Sequence, residues 1–406
     1  MRVRIATALV LATLAACGGT DTAPARLGTP VALSTPAPEG SHFPHLAPGD
    51  DGIVMSWMQG GKDGRVALRH ATYSGGAWSP LRTVAEGADW FVNWADFPSV
   101  VPVSGRTWIA HWLQQRPGGV YAYDVRIAVS DDSGATWSAP FSPHDDGTAT
   151  EHGFVTLLPA GAGTQAFWLD GRNTGGEHDH SSGGTQGAMT LRSAMIGGSA
   201  GAPMRDLELD PRTCDCCQTD AARTSEGIVV VYRDRSEDEI RDIALIRGTV
   251  AGWSAPIAVA HDGWRTDACP VNGPAVDARD DAVVVAWFTA PDRPRVRVAF
   301  SHDGGRSFTP PIDVAVGALS GRVDTVLLPD GRAVVSWLAD TPGSAEIRAQ
   351  IFTPSGPAGA AVTVARTDVA RSSGFPQMVA SDGGLLFAWT RTGDPPQVRT
   401  AFVPIR

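Results

Sequence analysis

Ser130-Asp131-Asp132-Ser133-Gly134-Ala135-Thr136-Trp137 reads as a tight turn between two β-strands. In such a turn the Asp side chain accepts backbone N–H groups, the Gly supplies a φ > 0 position, and the closing aromatic packs between sheets. A second copy follows in the other half of the chain, Ser301-His302-Asp303-Gly304-Gly305-Arg306-Ser307-Phe308. Reduced versions stand at Ser74-Gly75-Gly76-Ala77-Trp78 and around Gly252-Trp253.

Working outward from these turns, one phrase recurs: a Pro or small residue, a short apolar strand, a Gly or Asp turn, an apolar strand ending in an aromatic, a variable loop, an alternating strand, and the tight Gly turn. The aromatic-ending strands are Ile53–Trp57, Trp108–Trp112, Gln165–Trp168, Ile228–Tyr232, Val283–Trp287, Ala333–Trp337 and Leu385–Trp389. The units start near Phe43, Phe97, Phe154, Cys217, Val271, Val323 and Phe375, a period of 52 to 63 residues. That length suits a four-stranded antiparallel sheet, which cannot bury both faces alone but does so when sheets stack radially. The chain is therefore expected to be an all-β propeller of seven four-stranded blades, six being the alternative if one weak unit is an excursion. The last unit supplies about three strands, and Gly28–Ser34 has the pattern of an outer strand. Pairing of the N- and C-terminal strands in one blade would close the ring and remove its open edge.

Composition narrows the function classes. The 406 residues include 46 Gly, 30 Pro and 13 Trp, with 19% charged residues and a net charge of -10. That balance argues against nucleic acid or anionic lipid as a partner. Residues 1–17 combine a basic start (Arg2, Arg4), an apolar run and Leu14-Ala15-Ala16-Cys17, the form of a secretory signal. The ending resembles the bacterial lipobox, which implies acylation of Cys17, a tether over 18–27, and a propeller domain over 28–406. With Gly18 after the cysteine, the resemblance places the protein at the bacterial cell envelope, anchored by lipid to the outer membrane. No later apolar stretch is long enough to span a bilayer.

The Ser130–Trp137 turn matches the Asp-box of sialidase-like propellers, S-x-D-x-G-x-T-W, at every defined position, and Ser301–Phe308 matches with Ser and Phe variants. The chain thus resembles the sialidase-like β-propellers over nearly all of its length after residue 28. The resemblance implies glycan processing or binding, with an exo-sialidase as the family activity. Such an enzyme needs an Arg-Ile-Pro-like start, three arginines for the substrate carboxylate, a Tyr–Glu nucleophile pair and an acidic proton donor. Here the first two blades begin Phe43-Pro44 and Phe97-Pro98 instead. Of the four tyrosines, Tyr232 alone ends a predicted second strand beside arginines.

In a four-stranded blade the Asp-box turns lie on one face, and the two-to-three loops and blade connections lie on the other. The unusual chemistry falls in this second set and comes from three successive blades: Asp170-Gly171-Arg172, Glu177-His178-Asp179-His180, Arg233-Asp234-Arg235, Arg241-Asp242, His144-Asp145-Asp146, Glu151-His152, Cys214-Asp215-Cys216-Cys217 and His261 to Cys269. Convergence of separate loops is the mark of a site. Three readings stay open. Cys214, Cys216, Cys217 and Cys269 can form disulfides, one of them tying blades 4 and 5. The same thiolates with His178 and His180, or with His152 or His261, can hold copper or zinc. Arg172, Arg233, Arg235 and Arg241 can clamp an anionic ligand, with Asp170 and Asp234 as acid, base or arginine holders and Tyr232 beside them. The alternative for this last set is mutual Arg–Asp pairing that orders the rim. Trp90, Trp94 and Trp264 lie on the same face as candidate sugar platforms. A glycan or small anionic ligand is the expected partner; a metal-binding envelope protein and a non-catalytic interaction propeller are the alternatives.

Overall fold

A computed structural model describes residues 26–61, 63–174, 187–197 and 205–406. Seven antiparallel sheets follow one another around a central axis, and the described residues hold a single short helix, the 3-10 turn Arg371–Ser373. The chain is a seven-bladed β-propeller. Blade 3 runs His152–Ala160, Gly163–Asp170, Met189–Ile196 and Leu207–Thr213 from the axis outward, and blade 4 runs Asp220–Thr224, Gly227–Arg233, Ile243–Thr249 and the pieces Gly252–Trp253 and Ile257–Ala258. In blade 2 three strands pair, and Phe141 bridging Ile127 stands where the fourth would run.

The second strand of each blade reads as a continuous apolar run because neighbouring blades cover both its faces. Val229, Val230, Val231 and Tyr232 are all buried, as are Trp57, Trp168 and Trp287 at the ends of equivalent strands. Closure follows the expected route: Val31–Leu33 pairs with Gln397–Pro404, joining Val31 to Phe402 and Leu33 to Thr400 in register. Beyond that strand, Arg26 and Arg406 exchange two backbone hydrogen bonds of 2.7 and 2.9 Å.

The tight turns have the geometry their residues dictate. Asp132 accepts the Thr136 N–H at 2.8 Å and the Thr136 hydroxyl at 2.7 Å, while the Ser130 hydroxyl accepts the Gly134 N–H at 2.9 Å. Asp303 and Ser301 repeat the pattern with Ser307 and Gly305. Gly134 has φ 74° and faces the His70 and Trp108 rings, so a side chain there would meet both strain and contact.

The innermost strands enclose a cavity of about 480 Å³. Asp220 and Asp324 occupy equivalent positions along it in blades 4 and 6, and Asp277 of blade 5 stands two residues further along its strand. Each takes the backbone N–H of the next blade's innermost strand: Val276 at 2.7 Å, Leu327 at 2.7 Å and Met378 at 2.6 Å. Burial pushes all three carboxyls above their ordinary range, Asp220 to about 7.

Candidate functional site

Two polar clusters lie side by side on the face of the two-to-three loops and blade connections. The first gathers around Asp170, the last residue of blade 3's second strand, whose side chain is fully buried. Asp170 accepts the Trp168 indole N–H at 2.8 Å and two guanidinium bonds from Arg172 at 2.8 and 2.7 Å. Arg172 continues to Asp206 at 2.8 Å and Asp146 at 3.5 Å, and Arg192 closes on Asp206 at 2.8 Å. His152, the first residue of blade 3, and His144, from the connection before it, stack with centroids 3.9 Å apart and planes 3° from parallel.

The protonation of these rings follows from their partners. The Val125 N–H donates to Nε2 of His144 at 3.3 Å, so the proton of that ring sits on Nδ1, 3.4 Å from Asp146. Nδ1 of His152 faces the carbonyls of Tyr123 and Thr150, both at 3.2 Å, and its Nε2 faces Asp146 at 3.0 Å. Burial works against charge on His152, yet Asp146, Asp170 and these carbonyls together raise it above its ordinary range. Burial likewise works against the Asp146 carboxylate, and the two histidines hold it well below the carboxylate range. The arrangement is a buried ion network whose donors and acceptors are matched to one another.

The second cluster sits between blades 3 and 4. Asp210, on the outer strand of blade 3, takes a short hydrogen bond from the Tyr232 hydroxyl and the Arg212 N–H at 2.9 Å. Arg235 pairs with Asp215 at 2.8 Å and Glu239 at 2.9 Å, and Arg241 reaches Glu239 at 2.8 Å. Arg241 is only 2% exposed, and its Nε and Nη1 have no hydrogen-bond partner among the described residues. Asp234 is half-buried at the rim. Its Oδ1 accepts the Arg235 N–H at 2.7 Å. Burial raises it to about 6, the Asp210 and Asp242 charges adding to that and the Arg235 N–H opposing it.

Arg233 stands apart from this rim. Its guanidinium is buried and donates to the carbonyls of Asn272 at 2.8 Å, Phe288 at 2.6 Å and Arg241 at 2.6 Å, with its face 4.9 Å from the Trp264 ring. Arg322, two blades on, is spent in a similar way on Ser373 and Gly374 beneath Trp94. Both arginines hold neighbouring segments together, with most of their donors spent within the protein.

Cys216 and Cys269 form a disulfide between the connections into blades 4 and 5. Bonded to each other, neither offers a thiolate to a metal, which reduces the expected copper or zinc set to Cys214 and Cys217 among the described cysteines. These two are free and buried, their sulfurs 2.6 Å apart. His178 and His180 lie outside the described residues, as do Cys17 and the whole of 1–17. Among the aromatics, Trp90 departs from expectation: it is buried and stacked on Trp112 at 5.3 Å, so it offers no platform. Trp94 and Trp264 remain partly exposed.

The site residues expected from sequence include Asp170, Arg172, Tyr232, Asp234, Arg235 and Arg241, and the converging loops contain Asp146 and Asp215, but the partners Asp206, Asp210 and Glu239 are not among them. Strand alternation in Leu207–Thr213 puts Asp210 on the face toward blade 4, a signal that was available. Tyr123 was also passed over; its hydroxyl donates to Glu151 at 2.6 Å in a buried pocket shared with Asp96.

No protein-family model and no curated protein matches the sequence. Solved structures do. A protein of unknown function from Dyadobacter fermentans aligns with a TM-score of 0.52 at 14% identity, covering 94% of this chain and 99% of that chain. A polysaccharide lyase aligns with a TM-score of 0.51 at 8% identity, covering 92% and 91%. The present chain shares that overall fold as a seven-bladed β-propeller. A sialidase from Streptococcus pneumoniae aligns at 9% identity with a TM-score of 0.46, over 87% of this chain and 83% of that one. At such identities the likeness is one of fold, and any chemistry has to be argued from the site.

Proposed function

We propose that this propeller acts on acidic glycans at the blade 3 to 4 rim, with Asp234 as the proton donor. The observation that carries the reading is Asp234 itself. It is a half-buried carboxyl titrating near 6, and its Oδ2 makes no hydrogen bond among the described residues. A carboxyl in that range can hold a proton at mildly acidic pH and release it to a leaving-group oxygen. Arg212 lies alongside with about a third of its side chain exposed, its guanidinium a donor for a uronate or sialate carboxylate. Trp264 on the same rim offers a ring face to a sugar. A polysaccharide lyase of the same fold is in keeping with this ligand class. Tyr232 serves as the holder of Asp210, whose charge keeps Asp234 raised. Acylation of Cys17 would display this face at the bacterial envelope.

The test is a panel of sialosides and uronate-containing polysaccharides, with free sialic acid and new reducing ends as readouts. Wild type should release product on at least one of them. Asp234→Asn should lower turnover by roughly 100-fold or more, the usual share of a general acid, and Arg212→Ala should raise KM. With no release and no retention on a glycan array, the reading fails. Radiolabelled fatty acid incorporated into wild type but not into Cys17→Ser would establish the anchor separately.

A further inference from the structure

The rim proposal makes no use of the four cysteines Cys214, Cys216, Cys217 and Cys269, yet the fold brings their sulfurs into one cluster. The Cys214 sulfur is 2.6 Å from that of Cys217 and 4.0 Å from that of Cys216, which is already bonded to Cys269. Cys214 and Cys217 are buried, whereas Cys269 is partly exposed in a connection whose neighbours Asp267 and Ala268 are exposed. A reduced pair is therefore stored behind an oxidised pair whose outer member reaches solvent.

We propose that these four residues form a thiol–disulfide exchange site, in which the Cys214/Cys217 dithiol reduces the Cys216–Cys269 disulfide and frees a reactive thiol at Cys269.

The surroundings suit the exchange. Arg241 is buried with two nitrogens unpartnered, and its charge and that of Arg233 both act on the cysteine pair. Burial works against a thiolate, yet the Cys214 contact, Arg233, the Asn272 backbone and Arg241 bring Cys217 down to about 7, while Cys214 stays well above its ordinary value. The pair shares one proton, and passing it from Cys214 to Cys217 across the short contact places the charge on the sulfur nearest Cys216. A thiolate, not a thiol, is the attacking species.

The steps balance without any outside oxidant. The Cys214 thiolate attacks the Cys216 sulfur; the 214–216 bond forms, the 216–269 bond breaks, and Cys269 leaves as a thiolate that takes a proton from water. Cys217 then gives up its proton and attacks the Cys214 sulfur; the 214–217 bond forms, the 214–216 bond breaks, and Cys216 leaves and is protonated. One disulfide and two thiols stand on each side. The second isomer differs in presenting a thiol at the surface, where a small-molecule thiol or disulfide can meet it.

Acid-quenched protein, purified without chelator or reductant, should be alkylated, digested with trypsin and mapped without reduction. The expected result is two populations, one with the Cys214-to-Cys217 peptide linked to the Cys269 peptide, the other with that peptide closed on itself. In native protein a maleimide should label Cys269, and Cys214→Ser should lower that labelling by about 10-fold or more by removing the nucleophile, whereas Cys217→Ser should keep it. Three results overturn the proposal: no thiol in the wild type even after unfolding, stoichiometric copper or zinc bound by the sulfurs, or Cys269 labelling unchanged in Cys214→Ser. The wild-type map is decisive by itself if a variant fails to fold.

Discussion

His152 shows how much of this site depends on single groups. Its imidazolium is fully buried between Asp146 and Asp170, and removing one member of such a set strands the other charges. His152→Gln is expected to cost roughly 3–5 kcal/mol, the usual penalty for breaking a buried ion pair. The pH dependence has a definite sign. A histidine raised on folding contributes fully below its unfolded value of 6.5 and loses that contribution as pH rises through its folded value. The stability gap between wild type and variant, measured by urea melts, should therefore be wider at about pH 6 than at about pH 9; an equal gap would mean that the ring is neutral. Sequence showed that histidines, aspartates and arginines gather on this face, because residue types are visible. It did not show that Arg233 would be spent on the carbonyls of Asn272 and Phe288, because backbone acceptors from other blades carry no signal of residue type.

At the scale of strands, the innermost layer couples polar chemistry to blade packing. A carboxyl on one blade takes an N–H from the next, and the same burial that makes the bond strong makes the charge costly. Asp220 titrates near 7 and Asp96 near 8, both above an unfolded value of 3.8. Between those values each of these carboxyls binds more protons in the folded chain than in the unfolded chain, so its own contribution to stability falls as pH rises. The buried histidines His42, His45, His70 and His111 act the opposite way, burial lowering each on folding, so the carboxyls are read by comparing wild type with a variant. The Tm of Asp96→Asn relative to wild type should rise between about pH 5 and about pH 8, since an amide has no charge to gain and can still accept the Phe154 N–H that Asp96 now takes at 2.8 Å. A difference in Tm between the two proteins that stays constant across this interval would contradict the assignment of a neutral buried Asp96 carboxyl. Below about pH 4 the depressed carboxylates Asp146 and Asp170 reverse the trend, because their stabilisation is lost on protonation. The strands were readable from aromatic-ending apolar runs between Gly turns. The Asp positions on the inner strands also stood in the sequence, but their role depends on which strand lies nearest the axis, a matter of assembly and not of local pattern.

For the whole molecule, blade count and ring closure followed from repetition, since seven copies of one phrase with an incomplete last copy leave few arrangements. What repetition could not supply was the pairing of sulfurs, which depends on how two connections approach across neighbouring blades. Closure rests on the three-residue strand Val31–Leu33 lying along Gln397–Pro404. A chain started at residue 36 should lose this clasp, melt at a lower temperature and aggregate through the bared strand edge, as followed by light scattering. Equal Tm and a monodisperse solution would show that the ring holds without it. The double hydrogen bond between Arg26 and Arg406 has another consequence. Because the backbone leaves the ring where it enters, a short linker from Arg406 to Arg26 would give a circular permutant with its cut free to be placed in any hairpin tip. The propeller can thus be reopened at a blade of choice, and a reporter inserted on either face, without parting a single interblade seam.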